Sequence, residues 1–220
     1  MRRTRIKICC MQSEEEARLA IAAGADALGL VGMMPSGPGP IDDALIAAIA
    51  ARVPPPVATF LLASETEAEA IVAHARRCRT NTVQLVDRVE PVDYLRLRTA
   101  LPGIKLVQVV HVGGEEAVAE AVAAAAHADA LLLDSGQPHA KIKILGGTGR
   151  PHDWAISREI VARVACPVFL AGGLQADNVA RAIQTVRPFG VDVCTGVRRA
   201  DYSLDPVKLE AFVAAVAAAT

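Results

Sequence analysis

Aromatic side chains are scarce, at 3% of 220 residues, and that excludes a stacking platform for single-stranded nucleic acid, which needs rings in series. An excess of either charge is lacking too. The formal net charge is −1, and basic residues cluster nowhere beyond Arg2, Arg3, Arg5 and Lys7. A nucleic-acid face would show a basic stripe, so no such partner is expected. Long apolar runs are missing: the segment 117–133 is broken by Glu120, His127 and Asp129, and no membrane partner is expected. Glu14, Glu15 and Glu16 stand where a secretory leader would need its apolar run. With no leader expected and an odd five cysteines, a disulfide framework is not expected either. No CxxC pair or His-rich cluster has zinc spacing, so no structural metal is expected. These absences point to a cytoplasmic protein.

What is present is apolar material, 52% of the chain and much of it alanine. Short β-branched runs alternate eight times with alanine-rich amphipathic stretches. Strands are expected at 5–10, 27–32, 57–62, 82–86, 105–112, 130–134, 167–171 and 191–195. Helices are expected to start near Ser13, Asp42, Glu65, Pro91, Glu115, Asp153, Asp177 and Asp205. Ser13 and Glu16 have capping-box spacing, Asp205-Pro206 reads as an N-cap followed by proline, and Gly24 reads as a helix stop. Eight β/α units in this length imply an α/β fold closed into a (β/α)8 TIM barrel, one domain over 1–220. In such a barrel the loops 33–40 and 136–152, which follow strands, belong to the catalytic face.

Glycines near the end of the chain are the first functional signal. Ala171-Gly172-Gly173-Leu174 ends the seventh strand and Thr195-Gly196-Val197 ends the eighth. Glycine lets the backbone approach a ligand, and free N–H groups at a helix start hold phosphate. Gly172, Gly173, Thr195 and Gly196 are therefore expected to bind the phosphate of a small phosphorylated substrate, although glycines of this kind also simply close tight turns. Strand parity is the second signal. Ile6 and Ile8 suit the layer under the helices, so Lys7 and Cys9 are expected to point into the barrel, with Cys9 at its top. Asp134 ends the apolar run Leu131-Leu132-Leu133, and Asp192 shares a face with Cys194. Each has a plain alternative: Cys9 as a small core hydrophobe, Asp134 as a cap, Asp192 as the partner of Lys7.

In this order and spacing the motifs are similar to phosphoribosylanthranilate isomerase, a barrel of tryptophan biosynthesis. They are Lys7-Ile8-Cys9, the AGAD at 23–26, Val83-Gln84-Leu85, the LLLD at 131–134, the GGTG at 146–149, Asp153-Trp154, the AGGL at 171–174 and the GVDVCTGV at 190–197. The resemblance covers nearly all of the chain. It implies an aldose–ketose isomerase that rearranges an aldosylamine phosphate to a 1-amino-1-deoxyketose phosphate. Asp134 would be the general acid that opens the furanose to a Schiff base, and Cys9 the general base that takes the C2 proton. One group must arrive protonated and the other basic, so environment must separate their pKa values. Lys7 would favour the thiolate. Gln84, Gly147 and Asp192 fall within matched motifs and are expected at the substrate site. The resemblance implies no cofactor, and the assembly is expected to be a monomer or homodimer.

Departures fall on the aromatic half of that site. The family arginine after strand two, which helps grip the aromatic carboxylate, is absent from Pro35-Ser36-Gly37-Pro38-Gly39-Pro40. Its histidine is Val86 here, the glycine after the first motif is Cys10, and the glutamate after the last is Arg198. Arg198 is expected to supply the missing guanidinium to the substrate. Two other readings stand beside the isomerase: a paralogue acting on another phosphorylated small molecule, such as a lyase or synthase, and a phosphometabolite-binding barrel without turnover.

Overall fold

The computed structural model describes residues 3–35, 37, 39–136 and 152–219. Eight parallel strands follow one another in chain order: β1 (Arg5–Ile8), β2 (Ala27–Val31), β3 (Ala58–Ala63), β4 (Thr82–Leu85), β5 (Lys105–His111), β6 (Ala130–Asp134), β7 (Val168–Leu170) and β8 (Gly190–Val193). β8 pairs back onto β1 and closes the barrel. Between and after them run α1 (Glu14–Ala23), α2 (Asp43–Arg52), α3 (Ala68–Cys78), α4 (Pro91–Ala100), α5 (Glu116–Ala125), α6 (Trp154–Arg163), α7 (Val179–Val186) and α8 (Pro206–Ala218). The (β/α)8 barrel expected from the alternation is the fold. Element ends move by one to three residues, most at the start of α3. One shift is instructive: Cys9 and Cys10, expected inside β1, lie beyond it, because Cys10 adopts φ 65° and turns the chain off the sheet.

The helix starts follow from their caps. Ser13 Oγ accepts from the Glu16 amide at 3.1 Å, and Glu16 returns a bond to the Gln12 amide at 3.0 Å. Asp42, Asp153 and Asp205 each accept an amide of their own first turn. Gly24 ends α1 at φ 106°, a conformation that costs other residues about 1 kcal/mol.

Alternation along each strand sorts side chains into two packed layers. Ile6, Ile8, Leu28, Leu30, Leu131 and Leu133 face the helices. Val31, Phe60, Leu62, Val107, Val109, Leu132 and Phe169 fill the barrel interior. At the N-terminal end one device recurs. Asp26, Asn81 and Asp129 each stand one residue before an even-numbered strand and accept the amide of Ile6, Thr59 or Leu106 on the odd strand before it, each at 2.9 Å. These bonds satisfy strand-end donors that water would otherwise have to reach. The opposite end is left for the ligand.

Candidate active site

At the C-terminal mouth, β1 and β8 bring together an ammonium, three thiols and a carboxylate. Lys7 is wholly buried inside the barrel, with Nζ 2.8 Å from Asp192 Oδ1 and 5.4 Å from the Phe60 ring centre. Space for it comes from Gly29 on β2, where a Cβ would lie 2.6 Å from Cys9 Sγ and 3.1 Å from Lys7 Nζ. Burial alone would lower the pKa of Lys7, but the charges of Asp192 and Cys9 outweigh it, and the ammonium stays protonated. Cys9, directly above, is shifted the other way. A hydrogen bond from the Cys10 thiol favours its thiolate, burial opposes that, and Lys7 adds attraction; the net shift is downward. Cys194 Sγ in turn donates to Cys10 Sγ at 2.7 Å, so three thiols form one line into the site.

Asp134 ends β6 across the mouth. Burial lifts its carboxyl, and only partly do the Ser135 amide (2.7 Å) and the charge of His111 pull it back. The net shift is upward. Gly172, at φ 81°, forms the wall beside it: a Cβ there would lie 3.0 Å from Ser135 Oγ, 3.1 Å from His152 Nδ1 and 3.3 Å from Asp134 Oδ1. Three of the four expected phosphate residues, Gly173, Thr195 and Gly196, line a cavity of about 410 Å³ with Gln175, Asp177 and Lys208. A Cβ on Gly196 would come 2.1 Å from the Leu174 carbonyl, so the two glycine turns pack backbone against backbone.

The family model described as N-(5'-phosphoribosyl)anthranilate (PRA) isomerase matches residues 6–215. The chain belongs to the phosphoribosylanthranilate isomerase family. A relative of that name from Chromohalobacter salexigens is 42% identical over 219 residues, covering 98% of this chain and 95% of its own. The crystal structure of phosphoribosyl anthranilate isomerase from Thermus thermophilus superposes with a TM-score of 0.83 at 26% identity, covering 99% of this chain and 100% of its own. A second isomerase structure, with a TM-score of 0.81, 26% identity and coverage of 97% and 98%, is a complex with reduced 1-(o-carboxyphenylamino)-1-deoxyribulose 5-phosphate.

Several residues expected at the substrate prove to be spent elsewhere. The Arg198 guanidinium is almost fully buried: Nη1 meets Glu16 at 2.7 Å and the Tyr202 carbonyl at 2.9 Å, and Nη2 meets the Cys9 carbonyl at 3.1 Å and that of Cys10. Its reading as the aromatic-carboxylate ligand is corrected; Arg198 holds the turn on which Cys9 and Cys10 sit. That turn needs holding, since φ 65° at a residue with a Cβ costs about 1 kcal/mol or more. Lys7 and Asp192 are buried and paired with each other, and the charge of Lys7 acts on Cys9. Gln84 points into the barrel, buried, with Oε1 unpartnered. Gly147 lies outside the described residues.

Sequence reasoning passed over Lys208, His111 and His152. Lys208 follows no motif. His152 accepts or donates to Ser157 Oγ at 2.6 Å, and burial lowers its pKa to about 4, so it is neutral beside Asp134. Metal-capable side chains also meet away from the mouth: the ligand atoms of Asp43, His74 and Cys78 lie within 4.8 Å of one another. Arg77 already pairs with Asp43 at 2.6 Å and Glu65 with His74 at 2.8 Å, so this cluster reads as an ion-pair network tying α2 to α3.

The placement of Arg198 has a measurable consequence. Arg198→Ala takes the guanidinium away from Glu16, which keeps only the Gln12 and Leu204 amides, and removes the support of the Cys10 turn, so it is expected to lower unfolding free energy by about 3 kcal/mol. Urea denaturation with the slope unchanged measures it; a loss below about 1 kcal/mol would show that Arg198 does not hold the turn.

Proposed function

We propose that this protein catalyses the Amadori rearrangement of N-(5'-phosphoribosyl)anthranilate to its 1-deoxyribulose 5-phosphate, by general acid–base catalysis with no cofactor. The observation that carries this reading is the placement of Cys9, just after β1, and Asp134, the last residue of β6, at one mouth of the barrel, where their surroundings push the thiol down and the carboxyl up. A metabolite-binding barrel without turnover has no need of that opposition.

The steps follow from which group holds a proton. The phosphate end seats on Gly172, Gly173, Thr195 and Gly196, where turns at the ends of β7 and β8 present backbone N–H groups. Asp134 gives its proton to the furanose oxygen; the C1–O bond breaks and the nitrogen lone pair forms the Schiff base. The Cys9 thiolate then takes the C2 proton, and the electrons move towards the iminium nitrogen to give the enolamine. Tautomerisation to the ketone completes the rearrangement. Lys7 stabilises the thiolate from below without touching substrate. The reaction belongs in the cytoplasm, in one barrel domain acting as a monomer or homodimer.

Turnover of freshly prepared phosphoribosylanthranilate by the purified protein is the test. Turnover with a kcat near 1 s⁻¹ or above, in the ordinary enzymatic range of about 1–10³ s⁻¹, is expected. A folded protein that binds ribose 5-phosphate but leaves this substrate unchanged would overturn the reading.

Cys10 gives a finer check. Its thiol is the foremost cause of the downward shift at Cys9, so Cys10→Ala is expected to move the Cys9-controlled limb of the kcat/KM profile to higher pH. The Asp134 limb should stay in place. An unmoved Cys9 limb would show that Lys7 alone sustains the thiolate.

A further inference from the structure

His111 is the last residue of β5, in register with Asp134, the last residue of β6. Like Val107 and Val109, two and four residues before it, it faces inward. Its Nε2 lies 3.0 Å from the Val86 carbonyl. A carbonyl only accepts, so Nε2 carries the hydrogen, and the tautomer protonated there has its lone pair at Nδ1. Nδ1 is buried and has no partner within the protein. Leaving a buried acceptor unmatched costs about 1–3 kcal/mol, a cost that a ligand donor would offset. The arrangement also brings an imidazole to the end of β4, where the chain itself has Val86.

We propose that His111 is a further catalytic residue, whose Nδ1 accepts a hydrogen bond from the hydroxyl created when the substrate's furanose ring opens. The inference rests on Asp134 as the acid of the proposed reaction. In the closed substrate the ring oxygen has no hydrogen and gives Nδ1 nothing. When Asp134 delivers its proton, the C1–O bond breaks with its electron pair going to oxygen, and the nitrogen lone pair forms the C1–N double bond. Asp134 is left as carboxylate, and the former ring oxygen is now a hydroxyl beside both Asp134 and His111. A hydrogen bond to Nδ1 forms only from that point on. It holds the new hydroxyl away from C1 and stabilises the open chain relative to the ring. An interaction gained along the reaction and absent in the bound substrate raises kcat with little effect on KM.

Substitution at 111 separates this role from a structural one. Asn places its Oδ1 where Nδ1 stood, whereas Gln places its amide nitrogen where Nε2 stood. His111→Ala is expected to lower kcat about tenfold with KM within about twofold, the equivalent of one lost hydrogen bond. Affinity for the open-chain reduced 1-(o-carboxyphenylamino)-1-deoxyribulose 5-phosphate should weaken in step with kcat. His111→Asn should recover most of both, and His111→Gln should not. An unchanged kcat in His111→Ala, or rescue by Gln in place of Asn, would overturn the proposal and leave His111 as a brace for the β4 end. If the Ala variant does not fold, as judged by its thermal melt, the Asn and Gln pair carries the comparison alone. Asp134→Asn is measured alongside: if that variant keeps its activity, the acid assignment itself fails, whereas an inactive Asp134→Asn with a fully active His111→Ala overturns the His111 role only.

Discussion

Asp134→Asn is expected to lower kcat about 10³-fold while the protein remains folded and binds phosphate normally. The carboxamide keeps the size of the side chain and its bond from the Ser135 amide, which donates at 2.7 Å, but it has no proton of suitable acidity to give. Burial is the main cause of the upward shift of the native carboxyl, and Asn meets that burial without charge, so folding stability should hold or rise slightly. The loss should appear in kcat and kcat/KM alike, because the proton moves only in the transition state. Single-turnover kinetics on phosphoribosylanthranilate decide it. A loss smaller than about tenfold would remove Asp134 from the acid's role.

Cys9→Ala is expected to have an effect of the same size, about 10³-fold in kcat, by removing the group that accepts the C2 proton. Its structural cost should be small, since truncation removes only one buried atom, the sulfur packed over Gly29. Cys9→Ser sharpens the comparison. A hydroxyl fits the same space, yet Lys7 and Cys10 do not bring an alcohol to its alkoxide at neutral pH, so serine should rescue packing and not rate. Deuterium at C2 tells the steps apart: the surviving activity should show a larger isotope effect than the wild type, because proton abstraction becomes the slow step. Serine activity close to the wild type would mean that position 9 orders the site and another group takes the proton.

Much of this was legible in the sequence because the barrel's two layers follow a period of two. Lys7 and Cys9 fall on the inward parity between Ile6 and Ile8, and that is where they lie. His111 obeys the same rule after Val107 and Val109; it was overlooked because an apolar run draws attention to its core residues and not to its last polar one. Asp192 as the partner of Lys7 was an open alternative, and the 2.8 Å contact bears it out. Contacts between distant parts of the chain were not legible. Arg198 meets Glu16 across 182 positions and Cys194 meets Cys10 across 184, pairings that only closure of β8 onto β1 creates. A guanidinium after strand eight invites a substrate partner on charge alone; the turn at Cys10 had the prior need.

The amide clasps at Asp26, Asn81 and Asp129 also have a consequence for how the tube comes together. Each joins an odd strand to the even strand that follows, so three couples, β1–β2, β3–β4 and β5–β6, carry a fastening made within a short stretch of polypeptide. Short closures form before long ones, because fewer residues have to be confined. The last couple is fastened differently, by the edge-on contact of Phe169 with Phe189 at 5.4 Å. Each of the other three couples is a parallel strand–helix–strand unit with its own local clasp, so three quarters of the wall is fastened within neighbouring stretches of chain, and only the meeting of β8 with β1 has to join the two ends of the sequence.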